Sequence, residues 1–216
     1  MTTLCSLIRH GLTTWNLEKR LQGKQDIPLC EQGRAQVASW EPALGQEKIE
    51  HIVSSPLKRS WETATIIGRT LNIGVTIVPN LREQDFGRWQ GMTLEQIIAR
   101  FPGALAEEEK KGWQFCPPGG EARFQVAKRA ITALEQIGRD FTGQSVLVVT
   151  HQSVIKALVY HLLNKKYLPQ DPVLVRPCHL HRIQASSALE LLTLNALDLM
   201  PEIMEKKPMG KKEIFP

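Results

Sequence analysis

Cysteine is scarce in this chain, and the few that occur are not spaced as metal ligands or redox pairs. The four residues are Cys5, Cys30, Cys116 and Cys178, and no two of them form a C-x-x-C motif. Such a set is typical of reduced thiols in a cytoplasmic protein. A disulfide scaffold is therefore disfavoured, and we expect a cytoplasmic location.

Long apolar runs are also missing. No run approaches the roughly 18 residues that a membrane span requires. The opening residues, MTTLCSLIRHG, lack the basic segment and the long apolar stretch of a signal peptide. We expect no interaction with membranes.

The positive charge is not concentrated on one surface. The net charge is +5, of which the tail at 205–216, with four Lys and two Glu, accounts for +2. The remainder has neither a basic stripe nor interleaved aromatics, so we expect no nucleic-acid partner. Small anionic substrates stay possible.

What is present is an ordinary globular composition. The 216 residues are 42% hydrophobic and 23% charged, which is typical of a folded domain. We predict a single domain at 1–200 with a small cap inserted at 84–120. A flexible basic tail is expected at 201–216.

Apolar runs alternate with helical periodicity along the chain. Strands are predicted at 3–8, 51–55, 75–78, 145–150 and 187–194. Helices are predicted at 31–44 (with Pro42 expected to kink or end it), 56–71, 93–101, 121–140 and 152–163. Ser55 is the predicted N-cap of the helix at 56–71, and Pro56 is its predicted first residue. The region at 102–120 is expected to be irregular. This alternation predicts an α/β fold with a mostly parallel sheet covered by helices on both faces.

Charged side chains follow four of these strands where each strand ends. In strand order they are Arg9 and His10, then Arg59, then Arg82 and Glu83, and finally His151. In open α/β sheets, ligands bind beyond the carboxyl ends of the strands. We therefore expect these side chains to meet at one rim of the sheet.

The residue types in this set suit phosphoryl transfer. Arginine offers a planar, permanently charged fork for phosphate oxygens, and the N-terminus of the helix after Pro56 would add backbone donors. A neutral imidazole can attack phosphorus and form a covalent intermediate. A carboxylic acid can protonate the departing oxygen. The set predicts a phosphohistidine mechanism with no metal and no cofactor.

Six blocks, in order, resemble the histidine phosphatase superfamily, also called phosphoglycerate mutase-like. They are LIRHGLTTWN, RLQGKQDIPLCEQGRAQ, SSPLKRSWETA, LREQDFGRWQG, PPGGEA and VTHQSVIKAL. Together they span roughly residues 3 to 160. The resemblance implies a three-layer α/β/α sandwich.

The resemblance also implies roles for individual residues. His10 would be the nucleophile that becomes phosphorylated, and Glu83 would be the general acid and then the base. The remainder of the phosphate pocket would be Arg9, Arg59, His151 and Asn16. Contacts to the substrate are expected from Gln22, Gly23 and Gln152.

Two departures favour the phosphatase branch over the mutases. Gln84-Asp85-Phe86 follows Glu83, where mutases usually have Arg-His-Tyr, and Gln152-Ser153 replaces their Gly-Asn. The 33 residues at 84–116 also make a modest cap. We therefore predict a hydrolase acting on a small phosphomonoester.

Other functions stay open at this point. A cofactor-dependent phosphoglycerate mutase and a non-catalytic phospho-ligand binder share the same resemblance. A metallohydrolase using His10, Glu83 and His151 as ligands is disfavoured by the nearby Arg9 and Arg59. The sequence does not rank sugar phosphates, nucleotides, phosphoglycerates and α-ribazole phosphate as substrates, and it leaves the oligomeric state open.

One further histidine pair has metal-ligand spacing. His179 and His181 lie two residues apart, but no carboxylate or third ligand is close in the sequence. We interpret the pair as one face of a strand.

Overall fold

The computed structural model describes residues 1–200, so the predicted flexible tail at 201–216 lies outside the described residues. Within that range the strands are β1 (Thr3–Arg9), β2 (His51–Ser54), β3 (Val75–Ile77), β4 (Ser145–Thr150), β5 (His179–Ala185) and β6 (Leu189–Asp198). The helices are α1 (Thr14–Leu17), α2 (Glu31–Ala38), α3 (Glu41–Leu44), α4 (Lys58–Leu71), α5 (Leu94–Arg100), α6 (Ala104–Glu109), α7 (Arg123–Asp140) and α8 (Gln152–Leu162). Short 3-10 turns lie at Pro79–Leu81, Gly87–Trp89 and Gly112–Gln114.

The strands form one mixed sheet in the order β3-β2-β4-β1-β5-β6. The first four of these are parallel to one another, whereas β5 pairs antiparallel with both β1 and β6. The central strand β4 is buried along Val146–Thr150 because both of its faces are covered. The predicted mostly parallel sheet is confirmed.

Helices cover both faces, which gives the predicted three-layer α/β/α sandwich. On one face, α7 and α8 pack their apolar side chains against inward-facing residues such as Leu7 and Val148. On the other face, α2, α3 and α4 pack against residues such as Ile8 and Val149.

A third apolar cluster lies outside these layers. Its buried members are Leu21, Phe86, Trp89, Ile97 and Phe115. Four of the five come from the region at 84–120, so this region has a small core of its own. Its description as a cap inserted in a single domain at 1–200 stays a prediction.

The structure corrects the predicted start of the helix after β2. The prediction of Ser55 as N-cap and Pro56 as first residue is wrong, because α4 begins at Lys58 with Leu57 at the N-cap position. The Lys58 amide instead donates to the Asp26 carboxylate at 2.7 Å. A carboxylate 32 positions away along the chain therefore caps the helix.

Three other elements differ from the sequence prediction. The helix predicted at 31–44 is interrupted between Ala38 and Glu41, just before Pro42, which lies in the first turn of α3. The region at 102–120 is not wholly irregular, because it contains α6. The strand predicted at 187–194 is β6, which is longer than predicted and pairs with β5. Because β5 contains His179 and His181, their placement on a strand is confirmed.

Two helices hold the loop that follows β1. The Gly11 amide donates to Thr63 Oγ1 on α4 at 3.0 Å, and the Leu12 amide donates to Gln36 Oε1 on α2 at 3.0 Å. Gly33 allows α2 to approach closely, since a Cβ at this position would overlap the Leu12 carbonyl oxygen. The backbone next to His10 is therefore fixed by packing from both helices.

We predict that Gly33→Ala destabilises the protein and displaces the loop after β1. Overpacking costs about 1–3 kcal/mol, and occasionally more, and here the Cβ meets backbone rather than a flexible side chain. Urea unfolding should show a clearly lower midpoint. The control is Gly74→Ala, whose added Cβ has nothing within 4 Å; equal midpoints for the two variants would contradict the packing argument.

Candidate active site

The two histidines of interest follow neighbouring parallel strands. Arg9 and Thr150 are register partners in β1 and β4, so His10 and His151 leave the sheet side by side. Their ring centroids lie 5.2 Å apart. The carboxyl edge of the sheet thus brings together two side chains that are 141 positions apart in the sequence.

The ring of His10 is held in one orientation by its backbone. Nδ1 lies 2.7 Å from the Gly11 carbonyl oxygen, so Nδ1 carries the proton and donates it. Nε2 then carries the lone pair of the ring, which accepts from Arg59 Nε at 3.2 Å. Burial, together with the positive charges of Arg59 and Arg9, holds the pKa of His10 well below its usual value. His10 is therefore a neutral imidazole with Nε2 as its nucleophilic nitrogen.

Arg59 is fully buried beside this nitrogen. Its terminal nitrogens donate to the carbonyl oxygens of Gly23 and Gln25, each at 2.7 Å. Burial lowers the pKa of Arg59 to about 10, and the carboxylate of Glu83 opposes this shift. The guanidinium is thus still charged at neutral pH and is fixed in place.

His151 is oriented by hydroxyl groups. Ser55 Oγ lies 2.7 Å and Ser60 Oγ 3.3 Å from its Nε2. The Ser55 hydroxyl already accepts from the Leu57 amide, so its own proton is available to Nε2. With Ser55 as the donor to Nε2, the ring proton lies on Nδ1, which has no hydrogen-bond partner in the described part of the chain. Burial, together with the charge of Arg59, holds the pKa of His151 well below its usual value.

Glu83 reaches the same pocket from the loop after β3. Its carboxylate is buried, and Oε1 accepts from the Gln84 amide at 2.7 Å. Oε2 lies 3.5 Å from the amide of Ser153, in the first turn of α8. The acid is thus held by backbone donors on two sides.

Seven of the nine predicted site residues line one small pocket. The lining residues are Arg9, His10, Asn16, Arg20, Gln22, Gly23, Arg59, Glu83 and Phe86. The remaining two do not line this pocket: the His151 ring lies beside that of His10, tilted by 60°, and Gln152 is buried at the start of α8.

The side chain of Asn16 is already partly engaged. Its Oδ1 accepts from the amide and the hydroxyl of Thr13, each at 3.0 Å. Only its amide nitrogen is then available to a ligand. Asn16 can therefore donate to an anion in this pocket but cannot accept from it.

Sequence reasoning missed four residues of this site. Arg20 and Phe86 line the pocket, and Ser55 and Ser60 orient His151. Arg20 and Phe86 lie in the RLQG and EQDF blocks, which carried a signal through their neighbours. The two serines also lie in a quoted block, SSPLKRSWETA, but their role depends on a contact with a residue more than 90 positions away.

One backbone donor at the predicted anion-binding helix N-terminus is already occupied within the protein. The N-terminus of the helix after β2 was expected to offer backbone donors to a ligand, but the amide of its first residue, Lys58, is occupied by Asp26. At this amide the Asp26 carboxylate thus lies where we expected an anionic ligand. The cations that line the pocket are instead the side chains of Arg9, Arg20 and Arg59.

The described residues hold neither a cluster of metal-ligating side chains nor a membrane-spanning helix. Nowhere in residues 1–200 do three His, Cys, Asp or Glu side chains lie together in a way that could hold a metal ion. Over the same range, every helix is too short or too polar to cross a membrane.

Comparison with known proteins gives consistent results. The family model of the histidine phosphatase superfamily, branch 1, matches residues 5–194. The chain is 37% identical over 166 residues to glucosyl-3-phosphoglycerate phosphatase of Mycobacterium tuberculosis, a match that covers 73% of this chain and 74% of that protein. It is also 37% identical over 155 residues to metal-independent phosphoserine phosphatase of Arabidopsis thaliana, covering 70% of this chain and 65% of that one.

A solved structure agrees with these sequence matches. Bacillus stearothermophilus YhfR superposes with a TM-score of 0.82 at 29% identity, and the match covers 91% of this chain and 98% of that one. The resemblance drawn from the six sequence blocks is thereby confirmed. The chain belongs to the histidine phosphatase superfamily, branch 1, and is a phosphatase of that family.

Proposed function

We propose that the protein hydrolyses small phosphomonoesters, without a metal, through a phosphohistidine on His10. One observation carries the proposal: Nε2 of the neutral His10 lies 3.2 Å from the buried, charged Arg59, while its Nδ1–H is held by Gly11. A cation that attracts a phosphoryl group therefore lies next to a lone pair that can attack it. Such positioning of charge and nucleophile is the main requirement of phosphoryl transfer.

The first step forms the covalent intermediate. Arg59 Nε moves its hydrogen bond from His10 Nε2 to a phosphoryl oxygen, and the released lone pair of Nε2 attacks phosphorus. An N–P bond forms, and the P–O bond to the leaving group breaks. Glu83, as the carboxylic acid, gives its proton to the departing oxygen. The charge that develops on the phosphoryl oxygens is stabilised by Arg9, Arg59 and the Nδ1–H of His151, and the Asn16 amide donates to them as well.

The second step returns the enzyme to its starting state. The Glu83 carboxylate, which is now deprotonated, takes a proton from water as the water oxygen attacks phosphorus. The N–P bond breaks, its electron pair returns to His10 Nε2, and inorganic phosphate leaves. A single carboxyl group thus acts first as acid and then as base.

The substrate body is the least specified part of the proposal. Gln22, Gly23 and Phe86 line the pocket beside the reacting groups, and we assign contacts with the alcohol portion to them. Gln152 is buried and lies outside this pocket, so we assign no substrate contact to it. By their names, two relatives act on glucosyl-3-phosphoglycerate and phosphoserine. We propose that this chain acts on the same broad class, small organic phosphomonoesters.

Metal independence follows from the chemistry of the side chains. Arg9 and Arg59 supply fixed positive charge where a catalytic metal ion would otherwise neutralise the phosphate. Their charges also repel any metal cation that approaches the pocket. Turnover is therefore expected to be unchanged by a chelator, and a strict requirement for added metal would contradict the proposal.

We predict that Glu83→Gln is impaired more severely with a poor leaving group than with a good one. Removal of general acid catalysis costs roughly 10²–10⁴-fold in rate, and p-nitrophenolate needs little protonation. The measurement is kcat/KM for phenyl phosphate and for p-nitrophenyl phosphate. The matched control is Glu41→Gln, at an exposed position of α3. Equal losses with both esters would argue against Glu83 as the acid.

We also predict that Arg59→Lys loses at least tenfold in both turnover and vanadate affinity. An ammonium cannot reach Gly23, Gln25 and His10 at once, and a hydrogen bond to a charged group contributes roughly 1.5–3 kcal/mol. Vanadate inhibition reports on the pocket because vanadate adopts the five-coordinate geometry of the transition state. The control is Arg69→Lys, an exposed arginine at the end of the same helix. Full activity in Arg59→Lys would show that only charge matters.

A further inference from the structure

The loop that carries Glu83 has little regular structure of its own. Between the turn at Pro79–Leu81 and the turn at Gly87–Trp89, residues 82–86 belong to no helix or strand. A carboxylic acid must nevertheless be held within hydrogen-bond reach of the oxygen that it protonates. Contacts from outside the loop therefore decide where Glu83 lies.

Arg129, on α7, supplies most of these contacts. One terminal nitrogen donates to the carbonyl oxygens of Asn80 and Arg82, at 2.7 and 2.6 Å. The other donates to the Glu83 carbonyl oxygen at 3.1 Å and to Glu121 Oε2 at 2.9 Å. Nε donates to Glu121 Oε1 at 2.8 Å. All five N–H donors of the guanidinium are thus used, two of them on the backbone of the Glu83 loop and one on the turn before it.

Glu121 holds the other side of the same loop. Its amide donates to the Asp85 carbonyl oxygen at 2.9 Å, and its carbonyl oxygen accepts from the Gln84 side chain at 2.8 Å. The Asp85 amide also donates to the Glu121 carboxylate, at 3.4 Å. The Arg129–Glu121 pair therefore contacts the loop both before and after Glu83.

This pair is shielded but lies outside the pocket. The side chains of Arg129 and Glu121 are only 9% and 14% exposed, and neither lines the cavity next to His10. A guanidinium bonded to several groups in a protected site loses them all together when it is replaced. Arg129 is thus suited to fix backbone position and not to touch a substrate.

We propose that Arg129, braced by Glu121, is a positioning residue that holds the Glu83 carboxyl in line with the leaving-group oxygen. This inference rests on the proposed acid role of Glu83. Loss of the clamp should therefore reduce acid catalysis while leaving the phosphate-binding groups His10 and Arg59 in place.

The test compares two esters that differ mainly in leaving group. In Arg129→Lys, which keeps the charge but cannot span five acceptors, kcat/KM for phenyl phosphate should fall at least tenfold. For p-nitrophenyl phosphate it should fall less than threefold, and inhibition by vanadate should change less than threefold. The control is Arg139→Lys on the same helix, where the exposed guanidinium donates to Gln136; it should behave as wild type.

A second background separates a positioning role from general damage. In Glu83→Gln, adding Arg129→Lys should cost less than a further twofold with phenyl phosphate, because the two changes remove the same contribution. The clamp would be overturned if the double variant showed the product of the two single losses with phenyl phosphate. It would also be overturned if Arg129→Lys lost equally with both esters. If Arg129→Lys does not fold, Glu121→Gln should show the same ester-dependent pattern, and its absence there would also overturn it.

The two proposals fail in different ways. If Glu83→Gln itself shows no dependence on the leaving group, the proposed acid role of Glu83 is wrong. If Glu83→Gln shows that dependence and Arg129→Lys matches wild type with both esters, the acid role stands and only the clamp is wrong.

Discussion

The burial of the Arg59 guanidinium is the constraint on which the rest of the site depends. A buried charge is costly unless its donors are bonded, and here they reach the Gly23 and Gln25 carbonyl oxygens and His10 Nε2. All three acceptors are neutral, so the positive charge is oriented without being cancelled by a direct ion pair. One side chain thereby fixes the loop at 23–25 relative to the loop after β1 and leaves a local charge for a phosphoryl group.

That charge also affects the protonation of His10, the proposed nucleophile. Burial and the neighbouring arginines keep His10 neutral, and Gly11 takes the Nδ1 proton. The charge of Arg59 likewise lowers the pKa of His151, whose Nε2 is held by Ser55. The two imidazoles consequently differ in the roles that we propose: His10 would present a lone pair at Nε2, and His151 a proton at Nδ1. The fold contributes by placing both at the ends of adjacent parallel strands.

Much of the fold and of the candidate site could be predicted from the sequence, since local patterns carry that information. The apolar run before His151 predicts a buried parallel strand, and strand ends predict where charged side chains converge. The remaining features depend on contacts between distant residues. Asp26 on the Lys58 amide, Ser55 on His151 and Arg129 on the Glu83 loop have no spacing signature. Each of them appears only once the chain is folded.

The central claim is that His10 is the group that becomes phosphorylated. The most direct test is to mix the enzyme with a phosphomonoester labelled in the phosphoryl group and to quench within milliseconds in alkali, where the N–P bond survives. The labelled residue is then located by mass spectrometry of peptides. We predict label on His10 in the wild type and none in His10→Ala. Label on His151, on a serine or on a carboxylate would contradict the account.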